Sequence, residues 1–435
     1  MAYSEIAVLA LSFIFLLSLG VPIAYSIGIS TTITMLMTIS PIPAFTTMAQ
    51  QTATGIDSFA LLAIPFFVFA GQVMNRGGIA SRLIDFAKVL VGMLPGGLAY
   101  VNIVASMLFG AISGSAAAAA SAIGGVMGPR MEKEGYPKNF SAAVNITSAT
   151  TGLVIPPSNI LIVYSLASGG ASIAALFLAG YVPGFLVGLM LILVSGYFAV
   201  KNKYPTGERV KLKEAFMKFL DAIPSMFLLF IVIGGIIAGV FTATEASAVA
   251  ILYTLILAMA VYREVKVKDL PGLLLDTAMT TSIIMILIGA SIGMSWVMSY
   301  ENIPQGVTAA LMSLTDNKIL LLIIINLILL FVGVFMDITP AVLIFTPIFL
   351  PVVTGLGMDP VHFGIVMVVN LCIGLCTPPV GSVLFIGCSV ANISIHKVIK
   401  PLLPLYAAMI LALILITYFP ELSLWLPDQF GLLSK

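Results

Sequence analysis

Apolar residues run along this chain in stretches near or above the ~20 needed to cross a hydrocarbon core as a helix, for example Asp221 to Thr242 and Ile319 to Met336. Each stretch predicts a membrane-spanning helix, and their number predicts a bundle. The first, Ile6 to Leu19, has no basic leader and is followed by more apolar sequence past Pro22, so it reads as a first span and not a cleaved signal.

Basic residues punctuate these stretches at Arg76, Arg82 and Lys88; at Arg130, Lys133 and Lys138; at Lys201, Lys203, Arg209, Lys211, Lys213 and Lys218; at Arg263, Lys266 and Lys268; and at Lys397 and Lys400. The positive-inside rule makes all of these cytoplasmic marks. Crossings then fall at Ser4–Leu19, Val21–Ser40, Ser58–Asn75, Ser172–Val200, Ala222–Phe241, Ala246–Tyr262, Leu273–Ser299 and Leu402–Phe419. Two segments do not cross. Residues 94–131 are small and apolar with a cytoplasmic mark at each end, so they enter and return as a hairpin, and 319–353 form a second hairpin entered from outside. Two further crossings, 139–166 and 362–390, are interrupted at Pro156-Pro157 and Pro378-Pro379, because proline lacks the N–H and clashes with the preceding turn. The count is ten crossings and two hairpins.

The interruptions repeat. Gly110 and Gly333 are 223 positions apart, the two proline pairs 222, and Tyr136-Pro137 and Asp359-Pro360 again 223. Residues 1–220, ending in a basic cytoplasmic loop at 201–220, and 221–435 are thus two related halves. The charge marks start the first half outside and the second inside, so the halves are inverted. Irregular backbone at membrane depth is tolerated only where it lines a buried cavity, and inverted repeats with broken helices are a plan of secondary transporters. The fold class is therefore all-α integral membrane, with two re-entrant hairpins and two proline-broken helices.

Composition agrees with this picture: 60% of the 435 residues are hydrophobic and 9% charged, against about 25% charged in soluble domains. The net charge of +1 with no basic tail excludes nucleic-acid binding through counterion release. There is no GxxxxGK[ST] phosphate loop, no HExxH and no nucleophile elbow, which leaves enzymatic chemistry little to work with. Cys372, Cys376 and Cys388 lack metal-site spacing and read as packing residues.

A broken helix presents carbonyls at the end of its first half and N–H groups at the start of its second, so it can hold a cation and orient an anion. Na⁺, which prefers hard oxygen donors, is expected between each tip and its facing break. The expected donors are Ser113, Gly114, Gly152, Val154 and Pro156 in the first half, and Gly333, Asp337, Gly374, Thr377 and Pro379 in the second. The substrate is expected at Ser115, Ser158, Asn159, Thr339 and Ser382. Asp337 carries the most weight, because a carboxylate inside an apolar hairpin is costly unless it meets a partner or an ion. Asp57, Glu245 and Asp276 lie near span ends and rank second. An ion channel, or an intramembrane enzyme using Asp57 and Asp337 as an acid–base pair, are the readings from other classes.

These motifs resemble the large membrane subunit of the tripartite ATP-independent periplasmic (TRAP) transporters. The residues that carry the resemblance are Phe109–Ser115, the run from Met131 to Tyr136, Gly152–Ser158, the run from Gly239 to Ala246, and Gly374–Ser382. The resemblance implies an elevator-type, Na⁺-coupled importer of small organic acids in the bacterial inner membrane. It also implies two partners, a small four-helix membrane subunit and a periplasmic substrate-binding protein. C4-dicarboxylates, sialic acids and sugar acids are the family's substrates, and overall similarity leans towards sialic acid.

Overall fold

The computed structural model describes residues 2–205, 212–315 and 317–433. It is helical, with no strand among the described residues. Arg209 and Lys211 of the basic loop lie outside the described residues.

The chain opens with α1 (Ala2–Ser18), α2 (Ile23–Thr38) and α3 (Pro41–Ile56). A repeating series follows: α4 (Ala63–Arg76), α5 (Ile79–Val91), the hairpin arms α6 (Gly97–Ser113) and α7 (Ala116–Lys133), the two pieces of a broken helix α8 (Lys138–Thr151) and α9 (Asn159–Ala167), and α10 (Ile173–Lys201). After α11 (Leu212–Ile237) and α12 (Ala243–Leu255) the series recurs as α13 (Leu270–Tyr300), α14 (Ile303–Leu314), arms α15 (Lys318–Phe335) and α16 (Ile338–Gly355), pieces α17 (Pro360–Leu375) and α18 (Ser382–Val390), and α19 (Ile395–Tyr418). A short α20 (Glu421–Gln429) closes the chain.

Packing follows the same order with the partners exchanged. α4 lies on α12 while its counterpart α13 lies on α2; α7 meets α18 while α16 meets α9; α8 meets α19 while α17 meets α10. Each half therefore completes the other, and the hairpins and broken helices of both form one body. Outward faces of the long helices carry large apolar side chains, such as Phe185, Leu189 and Leu193 on α10 and Phe227 and Phe230 on α11, as contact with lipid requires.

Eight helices among the described residues are long and apolar enough to cross a membrane. The hairpin arms α15 and α16 are among them, because length and hydropathy do not distinguish an arm that returns from a helix that crosses. Four helices were not expected from the apolar runs: α3, α5, α14 and α20. In α3 the stretch Thr46 to Gly55 is mostly polar and small, yet Pro at the first helical position starts a helix there, and the helix packs on α13.

Local chemistry sets the element ends. Ser115 accepts from the Ala118 N–H at 3.2 Å to start α7, and Asp359 accepts from the Val361 N–H at 2.7 Å to start α17. Thr242 and Glu245 form a reciprocal capping box at the head of α12. Glu245 thus has a structural task at a helix end.

The arms of each hairpin touch the broken helix of their own half through bare backbone. A Cβ on Gly152 would lie 2.3 Å from the Gly110 Cα, and one on Gly374 would lie 2.5 Å from the Gly333 Cα. Neither site has room for a side chain, which is the physical content of the repeated glycines. Polar groups buried beside these contacts bond to one another: Ser148 to Ser106 at 3.2 Å in the first half, and Asn370 to Asn326 at 2.8 Å, with Asn326 to Thr417 at 3.2 Å, in the second.

Candidate substrate cavity

Between the two tips lies a cavity of about 390 Å³. The first tip contributes Ser113, Gly114 and Ser115, the second Asp337, Ile338 and Thr339. The broken helices contribute Leu153, Asn159 and Ile160 from one half and Leu375, Ser382 and Val383 from the other. Gly114 and Asp337, Asn159 and Ser382, and Ile160 and Val383 are pairs 223 positions apart, so the walls themselves are related by the repeat.

The feature that decides the chemistry is which helix ends converge. α7, α9, α16 and α18 all begin at this cavity, so four helix N-termini, each equivalent to roughly +0.5 charge, meet at its walls. Among the described residues, no Lys, Arg or His side chain is in its walls. Asp337 is the one carboxylate among the lining residues; it stands just before α16 without a side-chain capping bond, and no basic side chain among the described residues forms an ion pair with it. The cavity can therefore hold an oxyanion on backbone dipoles and a cation on a carboxylate and neighbouring oxygens. No group of three His, Cys, Asp or Glu side chains gathers anywhere among the described residues, so a bound cation would rely largely on carbonyl and hydroxyl donors.

Of the residues expected at the site, Ser113, Gly114, Ser115, Asn159, Asp337, Thr339 and Ser382 line this cavity. Gly114 has φ +62°, and a Cβ there would lie 2.8 Å from the Asn159 amide nitrogen; the bare tip rests against that side chain. The others lie outside these walls. Ser158 is buried and gives its hydroxyl to the Leu153 carbonyl at 2.5 Å. Thr377 bonds the Ile373 carbonyl at 2.7 Å, and both hydroxyls thereby close their own broken turns. Gly152 and Gly374 press on the hairpin arms at Gly110 and Gly333. The Val154 carbonyl and the Pro156 ring face Gly180 of α10, and Pro379 is exposed. The Pro156-Pro157 and Pro378-Pro379 bonds are both cis. Asp57 follows α3 and is absent from the cavity walls, so Asp57 and Asp337 do not share this site.

The remaining walls come from two helices outside the hairpin body. Ile64, Val68, Gly71, Gln72 and Asn75 of α4, and Thr280, Ile283 and Ile284 of α13, face the tips. A Cβ on Gly71 would lie 3.0 Å from the Ser113 carbonyl oxygen, so the first tip lies against α4 with no side chain between them. Gln72 and Thr280 escaped the sequence reading. Gln72 stands as a polar residue within an apolar stretch, and Thr280 opens the polar run Thr280-Thr281-Ser282.

Two halves that exchange partners, four converging helix N-termini and one carboxylate in a membrane-embedded cavity define a secondary carrier. The chain matches the family model described as "Tripartite ATP-independent periplasmic transporter, DctM component" over residues 10–422, and it belongs to that family, the large permease subunits of TRAP transporters. It is 56% identical over 426 residues to the uncharacterised protein YgiK of Salmonella typhimurium, covering 98% of both chains. It is 38% identical to the C4-dicarboxylate TRAP transporter large permease protein DctM of Rhodobacter capsulatus, covering 95% of this chain and 96% of that one. In fold it is similar to the solved YdaH transporter of Alcanivorax borkumensis, with a TM-score of 0.65 at 14% identity over 92% of this chain and 91% of the other. The protein is a multi-pass membrane permease and not an enzyme.

Proposed function

We propose that the chain is the cavity-bearing subunit of a Na⁺-coupled importer of a small organic acid in the bacterial inner membrane. The convergence of four helix N-termini around a single carboxylate carries this reading, because it offers complementary places for an oxyanion and a cation in one cavity. Asp337 with nearby tip oxygens would hold Na⁺. Ser115, Asn159, Thr339 and Ser382, at or beside the four N-termini, would orient the acid.

Relatives named for C4-dicarboxylates, sialic acid and 2,3-diketo-L-gulonate stand at 37 to 39% identity, and one named for isethionate at 40%. What these share is an oxyanion head, which is what helix N-termini recognise. Sialic acid, favoured by the sequence, remains within that class without preference by identity.

The cycle we infer is an elevator. The body made of hairpins and broken helices carries the cavity past α4 and α13, whose facing residues Gly71, Gln72 and Thr280 supply small or polar contacts. By the charge marks, Asn75 lies next to the cytoplasmic Arg76, so the cavity reaches towards the cytoplasm. A small membrane subunit and a periplasmic binding protein would complete the transporter.

Uptake by reconstituted vesicles carrying the whole transporter should require an inward Na⁺ gradient and the binding protein. Equal uptake in K⁺ medium would remove Na⁺ coupling from this reading. Flux at ion-conduction rates without saturation would make the protein a channel instead.

A further inference from the structure

A second cleft, of about 150 Å³, opens between α5 and the root of the first hairpin, at the ends of the arms α6 and α7 opposite to their tip. Its rim carries Lys88 from the last turn of α5, and Arg130 and Lys133 from the last turn of α7, with Glu134 beside them. Three cations face one carboxylate, and none of the three takes part in any of the ion pairs among the described residues, which engage Arg76, Arg82 and Lys218.

The floor is of the opposite character. Ile84, Leu98, Val101 and Met127 form it, and each of them is buried. Just beyond Lys88, the apolar residues Leu90, Met93 and Leu94 are exposed at 50% or more. Charge above a greasy floor, on the side of the membrane that the basic marks make cytoplasmic, is the arrangement that recognises a lipid with an acidic headgroup.

We propose that this cleft binds an anionic phospholipid of the cytoplasmic leaflet. Its phosphate sits among Lys88, Arg130 and Lys133, and its acyl chains run over Leu90, Met93 and Leu94. A soluble phosphate would use the cations but gain nothing from the apolar floor and flank. The lipid would tie α5, which packs on α6 and α11, to the base of the first hairpin. The proposal rests on the sidedness of the basic residues and not on the transported substrate or its coupling ion.

Native mass spectrometry of the purified transporter, delipidated and then titrated with phosphatidylglycerol or phosphatidylethanolamine, tests it. The unsubstituted protein should retain phosphatidylglycerol preferentially. Each of Lys88→Gln, Arg130→Gln and Lys133→Gln should weaken that retention by about five-fold, the factor matching one cation near an anionic surface. Lys397→Gln/Lys400→Gln, in a basic pair remote in sequence, should leave it unchanged. Equal retention of both lipids by the unsubstituted protein overturns the proposal whatever the variants do. Full displacement by millimolar inorganic phosphate overturns it too, since the cleft would then be a simple anion site.

Discussion

Asp337→Asn is expected to raise the Na⁺ concentration needed for half-maximal uptake by about 30- to 150-fold, because losing a charge-assisted contact costs about 2–3 kcal/mol. The substitution keeps the shape and one oxygen while deleting the charge. Asp337 does not cap α16 through its side chain and Asn keeps an oxygen in the same place, so the variant should fold. Gly114 holds the equivalent place in the first tip, 223 residues earlier, so no second carboxylate can substitute. Uptake into vesicles over a range of Na⁺ concentrations is the measurement, and an unchanged Na⁺ dependence would take Asp337 out of the coupling site.

The second large effect is expected at the glycines beneath the tips. Gly152→Val places a Cβ 2.3 Å from the Gly110 Cα. That neighbour is backbone and cannot rotate aside, so the hairpin must move off the broken helix. Overpacking of a tight core costs about 1–3 kcal/mol, occasionally more, and Gly374→Val should behave alike against Gly333. Melting of the purified protein should drop well below the unsubstituted value, with binding at the cavity lost as well. Gly125→Ala, on α7 with open space around it, should be neutral or stabilising by about 0.5–1 kcal/mol, as helix propensity dictates. If Gly152→Val melted as high as Gly125→Ala, the close backbone contact would not be what joins tip and break.

What could be read from the chain beforehand depended on how locally each feature is encoded. The long spans, both hairpins and both breaks announce themselves in apolar runs, basic marks and proline pairs, each a property of a few adjacent residues. α3 and α14 do not, because their faces are chosen by neighbours such as α13 and not by their own composition. The same division runs through the cavity. Asn159, Ser382 and Asp337 stand at helix starts that the sequence marks, and they line it. Ser158 and Thr377 stand equally close to the breaks, yet their hydroxyls turn back to carbonyls five and four residues earlier, a choice of rotamer that spacing cannot reveal. Gln72 and Thr280 belong to α4 and α13, which meet the arms α6 and α16 through contacts of the folded chain that spacing along the sequence does not encode.

The unequal tips also have an electrical meaning. Under the elevator cycle inferred above, the body that moves bears one more acidic group at its centre than a strictly duplicated body would, and that group is neutralised only when Na⁺ rides with it. An empty body therefore carries negative charge through the field, and moving a full unit charge across it is worth about 2.3 kcal/mol per 100 mV. In a cell that is negative inside, the voltage pushes the unloaded carrier back towards the periplasm, resetting it for the next molecule. Voltage steps applied without Na⁺ should then evoke a transient charge movement that Asp337→Asn abolishes; a transient of the same size in that variant would place the moving charge elsewhere.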